Sequence, residues 1–242
     1  MPINVPDYVL TATTRILDAF LPLLRRAPGP ISDAALYASY RKTLDTLLND
    51  TRAAARSTSL GVDIATVING FRAASANPAA VIDTLDRVIN AARAWVPVDA
   101  RNDTLGLQRF SELSLCGLFE ALAISAQCVA ISTLTLTSYN QALAYRNRMR
   151  LTTDTAIDRA SDAGQIAVVR ALRDLQAKVT RDLINRGNAL ARIVTYSTGV
   201  PLPSVVLSYL LYQDGNRADE LLAENPIDHP SFMPMTGQAL SK

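Results

Sequence analysis

Apolar residues recur every three or four positions along most of this chain, the spacing that lines one face of an α-helix. From 111 to 147 the repeat passes through Leu115, Leu122, Val129, Leu136 and Leu143, with Leu118, Phe119 and Tyr139 on adjoining faces. This predicts one long helix with a packing seam. A second long helix is predicted from about Gln165 to Tyr196, where Val168, Leu172, Leu175, Val179, Leu183, Leu190 and Val194 keep the same rhythm. Gly199 followed by Pro201 supplies its stop. A competing strand pattern lies over 129–137, because Val129, Ile131, Thr133, Thr135 and Thr137 are β-branched at alternate positions.

Proline placement divides the chain, since an interior proline removes a helix hydrogen bond and clashes with the preceding turn. None occurs between 98 and 200. Upstream, Ala27-Pro28-Gly29-Pro30 is a break, Ser32 and Asp33 offer caps for a helix through about Ser57, and Asn77-Pro78 reads as an N-cap followed by proline at N1. Four helices are predicted before Pro97. Downstream, 203–213 reads as a short helix, Asp214-Gly215 as a turn, and Asn216 as an N-cap with Asp219 three residues later. Pro226, Pro230 and Pro234 then predict an extended tail. The expected fold is all-α: a bundle of long helices, a short C-terminal helix-turn-helix-like hairpin and an extended tail. The expected division is at Pro97, into an N-terminal helical subdomain (1–97) and a long-helix subdomain (98–242), with one continuous domain as the alternative.

Composition fits a folded chain. Of 242 residues, 49% are apolar and 19% charged, and the net charge is +2. The charge is uneven: 146–192 hold ten Arg or Lys against five Asp, whereas 201–242 hold two cations against five carboxylates. Cys116 and Cys128 are the only cysteines, and twelve helical residues separate them by about 18 Å, far beyond disulfide reach. Reduced thiols and an intracellular setting are expected. The first residues, Met1-Pro2-Ile3-Asn4-Val5-Pro6-Asp7, lack the cationic and apolar regions of a secretory signal.

Candidate chemistry is sparse. His229 is the only histidine, so histidine triads and multi-histidine metal sites are unavailable. Cys116 and Cys128 sit in an apolar stretch that suits inert thiols. Asp154, Asp158 and Asp162 form an acidic stripe with Arg150 and Arg159 beside it, a pattern that solvated ion pairing explains. Glu112 and Glu120 are the remaining candidates for acid–base work, without a spacing that suggests a substrate. No catalytic, metal or cofactor residues are assigned, and the protein is expected not to be an enzyme. Residues 113–136 carry one charge, Glu120, and are long enough to span a bilayer. Glu120, Gln127 and the serines and threonines favour a buried or interface helix, so no membrane span is expected. Possible DNA or partner contacts are Arg146, Arg148, Arg150, Arg170, Arg173, Lys178 and Arg181, weakened by interleaved carboxylates. The hairpin at 203–224 is a poor groove reader, because Asp219, Glu220 and Glu224 on its second helix repel phosphates.

The C-terminal segment carries Pro203, Tyr209, Tyr212, Asn216, Arg217, Ala218, Asp219, Asn225, His229, Pro230 and Phe232 in an order of uncommon residues within thirty positions. It resembles the ending of the Mu-like phage DNA circularisation proteins, in which a proline-led helix with paired tyrosines precedes a turn, an Arg-Ala-Asp/Glu helix, an asparagine and His-Pro-x-Phe. The likeness extends over about 110–235 and is loose over 1–100. Family members usually open on a β-rich domain, whereas Met1 here stands close to where their helical region begins, so functions seated in that domain are not carried over. The resemblance implies a structural protein at the tail hub or baseplate of a contractile phage, present in the virion and made in the host cytoplasm. Its implied partners are other tail or baseplate proteins and further copies of itself around the tail axis. The alternative it carries is a DNA-binding protein that holds injected phage DNA ends together. Bland local roles are also open to the motif: Phe232 and the tyrosines packing the tail, Arg217 pairing with Asp219, and His229 capping or hydrogen bonding.

Overall fold

The computed structural model describes residues 5–26, 29–225, 227 and 229–241. Residues 1–4 of the stretch read for a secretory signal, Ala27 and Pro28 of the expected break, and Pro226 and Asp228 of the tail lie outside the described residues. Helices dominate, as the all-α expectation requires. Before Pro97 come α1 (Asp7–Phe20), a 3-10 turn (Leu21–Leu24), α2 (Ala34–Asn49), α3 (Thr51–Ala55), α4 (Leu60–Ala73) and α5 (Pro78–Arg93). Two starts are the predicted ones. The Asp33 carboxylate accepts from the N–H groups of Ala35 and Leu36, and Asn77 accepts from Ala80 N–H ahead of Pro78. The helix expected to reach Ser57 stops at Asn49, because Asp50 leaves helical backbone and caps α3 by accepting from Ala53 N–H. Five α-helices, not four, therefore precede Pro97 among the described residues.

The single helix expected over 111–147 is two helices, α6 (Asp103–Thr133) and α7 (Tyr139–Asp162). Ser138 Oγ accepts from Gln141 N–H at 3.2 Å, and Gln141 Oε1 accepts from Thr137 N–H at 2.8 Å. This reciprocal cap sets a new helix start at Tyr139, and no apolar seam overrides it. Val129 to Thr133 are helical, so the strand alternative there is not adopted. The helix expected to reach Tyr196 ends earlier, as α8 (Ile166–Asn188), and Ile193–Ser197 form a strand, β1. Then follow α9 (Ser204–Tyr212), a 3-10 turn (Gly215–Arg217), α10 (Ala218–Glu224) and β2 (Thr236–Leu240). The tail is not merely extended: β2 pairs antiparallel with β1, in register from Ile193↔Leu240 to Ser197↔Thr236.

The chain groups into two compact units, Met1–Leu134 with Arg148–Val179, and Thr135–Asn147 with Thr180–Lys242. Residues on both sides of Pro97 belong to the first. Its core is large: α1 and α5 pack on α6, α2 packs on α4, and Phe20, Tyr40, Phe71 and Phe119 are fully buried. Phe20 meets Phe119 edge-to-face at 5.1 Å between centroids. Gly70 lets α4 approach α2 closely, since a Cβ there would stand 2.5 Å from Tyr40 Cβ. Each buried Leu or Phe contributes about 1.5–3 kcal/mol. α6 is long and apolar enough to cross a membrane by length and composition, and its Cys116, Phe119, Ala123, Ile124, Cys128 and Ile131 are buried in this unit. Burial pushes the Cys116 and Cys128 thiols up to about 12, and both are free. The second unit has a smaller core of Tyr196, Leu207, Tyr212, Leu221, Met233 and Ala239.

Candidate functional site

The motif residues lie in the second unit, where the side chains of Tyr212 and Asn225 secure backbone rather than present chemistry. Pro203 precedes α9 and accepts from Leu207 N–H at 2.9 Å. The Tyr212 hydroxyl accepts from Leu240 N–H at 3.0 Å. Asn225 is buried; its Oδ1 accepts from Gln238 N–H at 2.8 Å, and its Nδ2 donates to Gln238 O at 2.7 Å and Leu221 O at 2.8 Å. One amide thus ties α10 to β2. Gly237 makes room for this clamp, because a Cβ there would collide with Asn225 Oδ1 and stand 2.6 Å from the Tyr196 hydroxyl.

Arg217 lies 3.9 Å from the Tyr212 ring centroid and pairs with Glu220 at 2.7 Å. The expected local partner, Asp219, is exposed instead. The hydrogen bond that Arg217 donates to Glu220 raises its pKa further, so stacking and pairing both keep this cation in place. Asn216 is not the cap that the sequence suggested: its N–H donates to Asp214, and α10 begins at Ala218 behind Arg217. His229 is exposed, its Nδ1 accepts from Ser231 N–H at 3.2 Å, and its ring lies 5.9 Å from that of Phe232. Pro230 O accepts from Ser204 N–H at 2.9 Å. Phe232 does not pack the tail; it is 71% exposed.

Helix α9 offers an uncharged, largely apolar face outward. On α9, Leu207, Ser208 and Tyr212 turn inward, while Val205, Val206, Tyr209 and Leu210 are 45–65% exposed. No charge occurs from Ile193 to Gln213.

The proposed basic contacts divide. Arg148 is engaged by Asp83 and Asp86, Arg150 faces Asp154 at 3.8 Å, and Lys178 pairs with Asp174 at 2.7 Å. Arg146 is half-buried, in the second unit. Arg170 and Arg173, in the first unit, and Arg181, in the second, are exposed and enter no ion pair among the described residues.

The two glutamates of the first unit are buried and ion-paired. Glu112 accepts from Arg15, from Trp95 Nε1 at 3.1 Å, from Val98 N–H at 3.2 Å and from Gln108 Nε2 at 3.1 Å. Glu120 is held by Arg93 at 2.7 Å and Arg159 at 3.4 Å. Arg159 was expected beside the aspartate stripe, and the Glu120 carboxylate claims it. Glu120 and Arg159 border an apolar cleft of about 450 Å³ lined also by Phe110, Leu113, Val168 and Leu172. Among the described residues no three His, Cys, Asp or Glu side chains converge in a way that could hold a metal ion. No family model matches the chain, and no curated protein does.

Proposed function

We propose that this protein is a structural component of a contractile phage tail, at the hub or baseplate, acting by protein–protein assembly. One observation carries the assembly part: every exposed side chain of α9 is apolar or tyrosine. Leaving such a helix face in water forgoes about 25 cal/mol for each Å² of apolar surface that a neighbour would cover. Contiguous patches of this kind mark interaction surfaces. The resemblance of 203–232 to the ending of Mu-like DNA circularisation proteins directs the proposal to the tail, with neighbouring tail subunits as the occupants. Mass spectrometry of purified tails tests it. The chain is expected in wild-type particles, and a Leu210→Asp chain, altered only at an exposed position, is expected to fold and fail to incorporate. Tails lacking the wild-type chain would sink the proposal.

A second function, holding DNA ends, is favoured by exposed Arg170 and Arg173, which have no ion pair among the described residues. It requires binding that weakens steeply with salt and on replacing both arginines. Salt-insensitive or absent binding removes it.

A further inference from the structure

The two-stranded sheet has two outer edges, and only one is closed. The bonds flanking the ladder show which groups face outward: Ser241 N–H donates to Arg192 O, and Thr198 N–H donates to Met235 O, each at 2.7 Å. Hydrogen-bonded pairs alternate along an antiparallel ladder. Val194 and Tyr196 therefore direct their backbone groups to β2, while Ile193, Thr195 and Ser197 direct theirs away from it. On β2 the outward residues by the same count are Thr236, Gln238 and Leu240. That edge is taken: Asn225 occupies both backbone groups of Gln238, and Tyr212 occupies the N–H of Leu240.

Nothing comparable covers β1. Among the described residues no group outside the sheet bonds the backbone of Ile193, Thr195 or Ser197, and Val194, Thr195 and Ser197 are exposed. Proteins blunt open edges with charge, proline or a cover. The strand Ile193-Val194-Thr195-Tyr196-Ser197 has neither charge nor proline.

We propose that β1 pairs antiparallel with β1 of a second copy of this chain, about a two-fold axis beside Thr195, giving a sheet ordered β2-β1-β1′-β2′. The occupant follows from self-compatibility. An isologous contact brings each residue near its own image, and a charged strand would meet its own sign there; this one meets none. The outward set Ile193, Thr195 and Ser197 is symmetric about Thr195, so the hydrogen-bonded positions of both copies coincide. Thr195 then faces Thr195, and Val194, 46% exposed, comes beside the Tyr196 position of the other copy, whose ring stays in its own core. Threonine pairs are favourable across strands. The inference concerns the free protein and stands apart from the tail proposal, since no tail component enters its test.

Light scattering on the purified full chain reads the outcome directly. The wild type is expected at twice the 26.1 kDa chain mass. Thr195→Lys, which sets two like charges together at the axis and leaves the β1–β2 ladder intact, is expected to halve that mass with an unchanged circular dichroism spectrum. Thr195→Cys is expected to cross-link on mild oxidation, because Cα atoms in a hydrogen-bonded antiparallel pair lie about 5.5 Å apart, within disulfide reach. A wild type that stays monomeric at every concentration overturns the proposal. So does an oligomer that Thr195→Lys leaves intact and Thr195→Cys fails to cross-link.

Discussion

The two units hold together by different means. The first encloses four large aromatic side chains and many aliphatic ones, and its buried polar side chains include two carboxylates, Glu112 and Glu120, matched to arginines. The second has a smaller apolar cluster of six residues around its sheet and relies on side chains such as Asn225 and Tyr212 to grip the backbone of β2. A large core tolerates the loss of one apolar contact through the redundancy of the rest. A small one concentrates its order in a few directional bonds, so the motif residues matter there out of proportion to their burial.

Substitutions test this contrast, and the largest effect is expected in the first unit. Glu112→Ala leaves Trp95 Nε1, Gln108 Nε2 and the Val98 N–H without their acceptor, at about 1–3 kcal/mol for each buried group left unsatisfied, while Arg15, 42% exposed, turns to water. Urea unfolding followed by the labelling of Cys116 and Cys128 measures it, since thiols buried and held up to about 12 react only when this unit opens. A loss below about 1 kcal/mol would show that the carboxylate is not the keystone of its donors.

Gly237→Ala comes next. Its methyl group collides with Asn225 and Tyr196, an overpacking cost of about 1–3 kcal/mol. Amide exchange at 193–197 and 236–240 is expected to accelerate while the two thiols stay protected. Simultaneous thiol exposure would contradict the contrast between the units. Asn225→Ala leaves the Gln238 N–H and C=O without partners, at about 1–3 kcal/mol, and is expected to loosen β2 more than β1. Tyr212→Phe is the mildest, about 0.5–1.5 kcal/mol, with faster exchange concentrated at the Leu240 amide. An equal effect across β2 would mean that the ring, rather than the hydroxyl, does the holding.

Much of the helical content was legible because its signals are local. Asp33 and Asn77-Pro78 announce helix starts within four residues of themselves. The stop between α6 and α7 was also local, in Ser138-Tyr139-Asn140-Gln141, but the apolar repeat running through Leu136 and Leu143 masked it. β1 was not legible in the same way. Val194 continues the spacing of α8, and what makes Ile193–Ser197 a strand is Thr236–Leu240, some forty residues downstream, which no window of local periodicity contains. The site was half legible. Tyr212, Arg217 and Asn225 were singled out by resemblance, yet that Asn225 grips Gln238, and that Glu220 rather than Asp219 takes Arg217, depends on the helical turn and the returning tail. Gly237 drew no attention at all, since a glycine before a short polar stretch has no sequence signature of close packing.

The asymmetry of the small sheet sets a valency. In the language of polymer chemistry the sheet is monofunctional, with one reactive edge on β1 and one edge end-capped by Asn225 and Tyr212. Monofunctional units couple once and then terminate growth, so raising the concentration of this chain drives the coupling to completion without lengthening the product. Fibrillar growth through this sheet would first require α10 and Tyr212 to release β2. Asn225 and Tyr212 are in this sense chain stoppers, and a variant lacking both would convert a self-limiting strand into a propagating one.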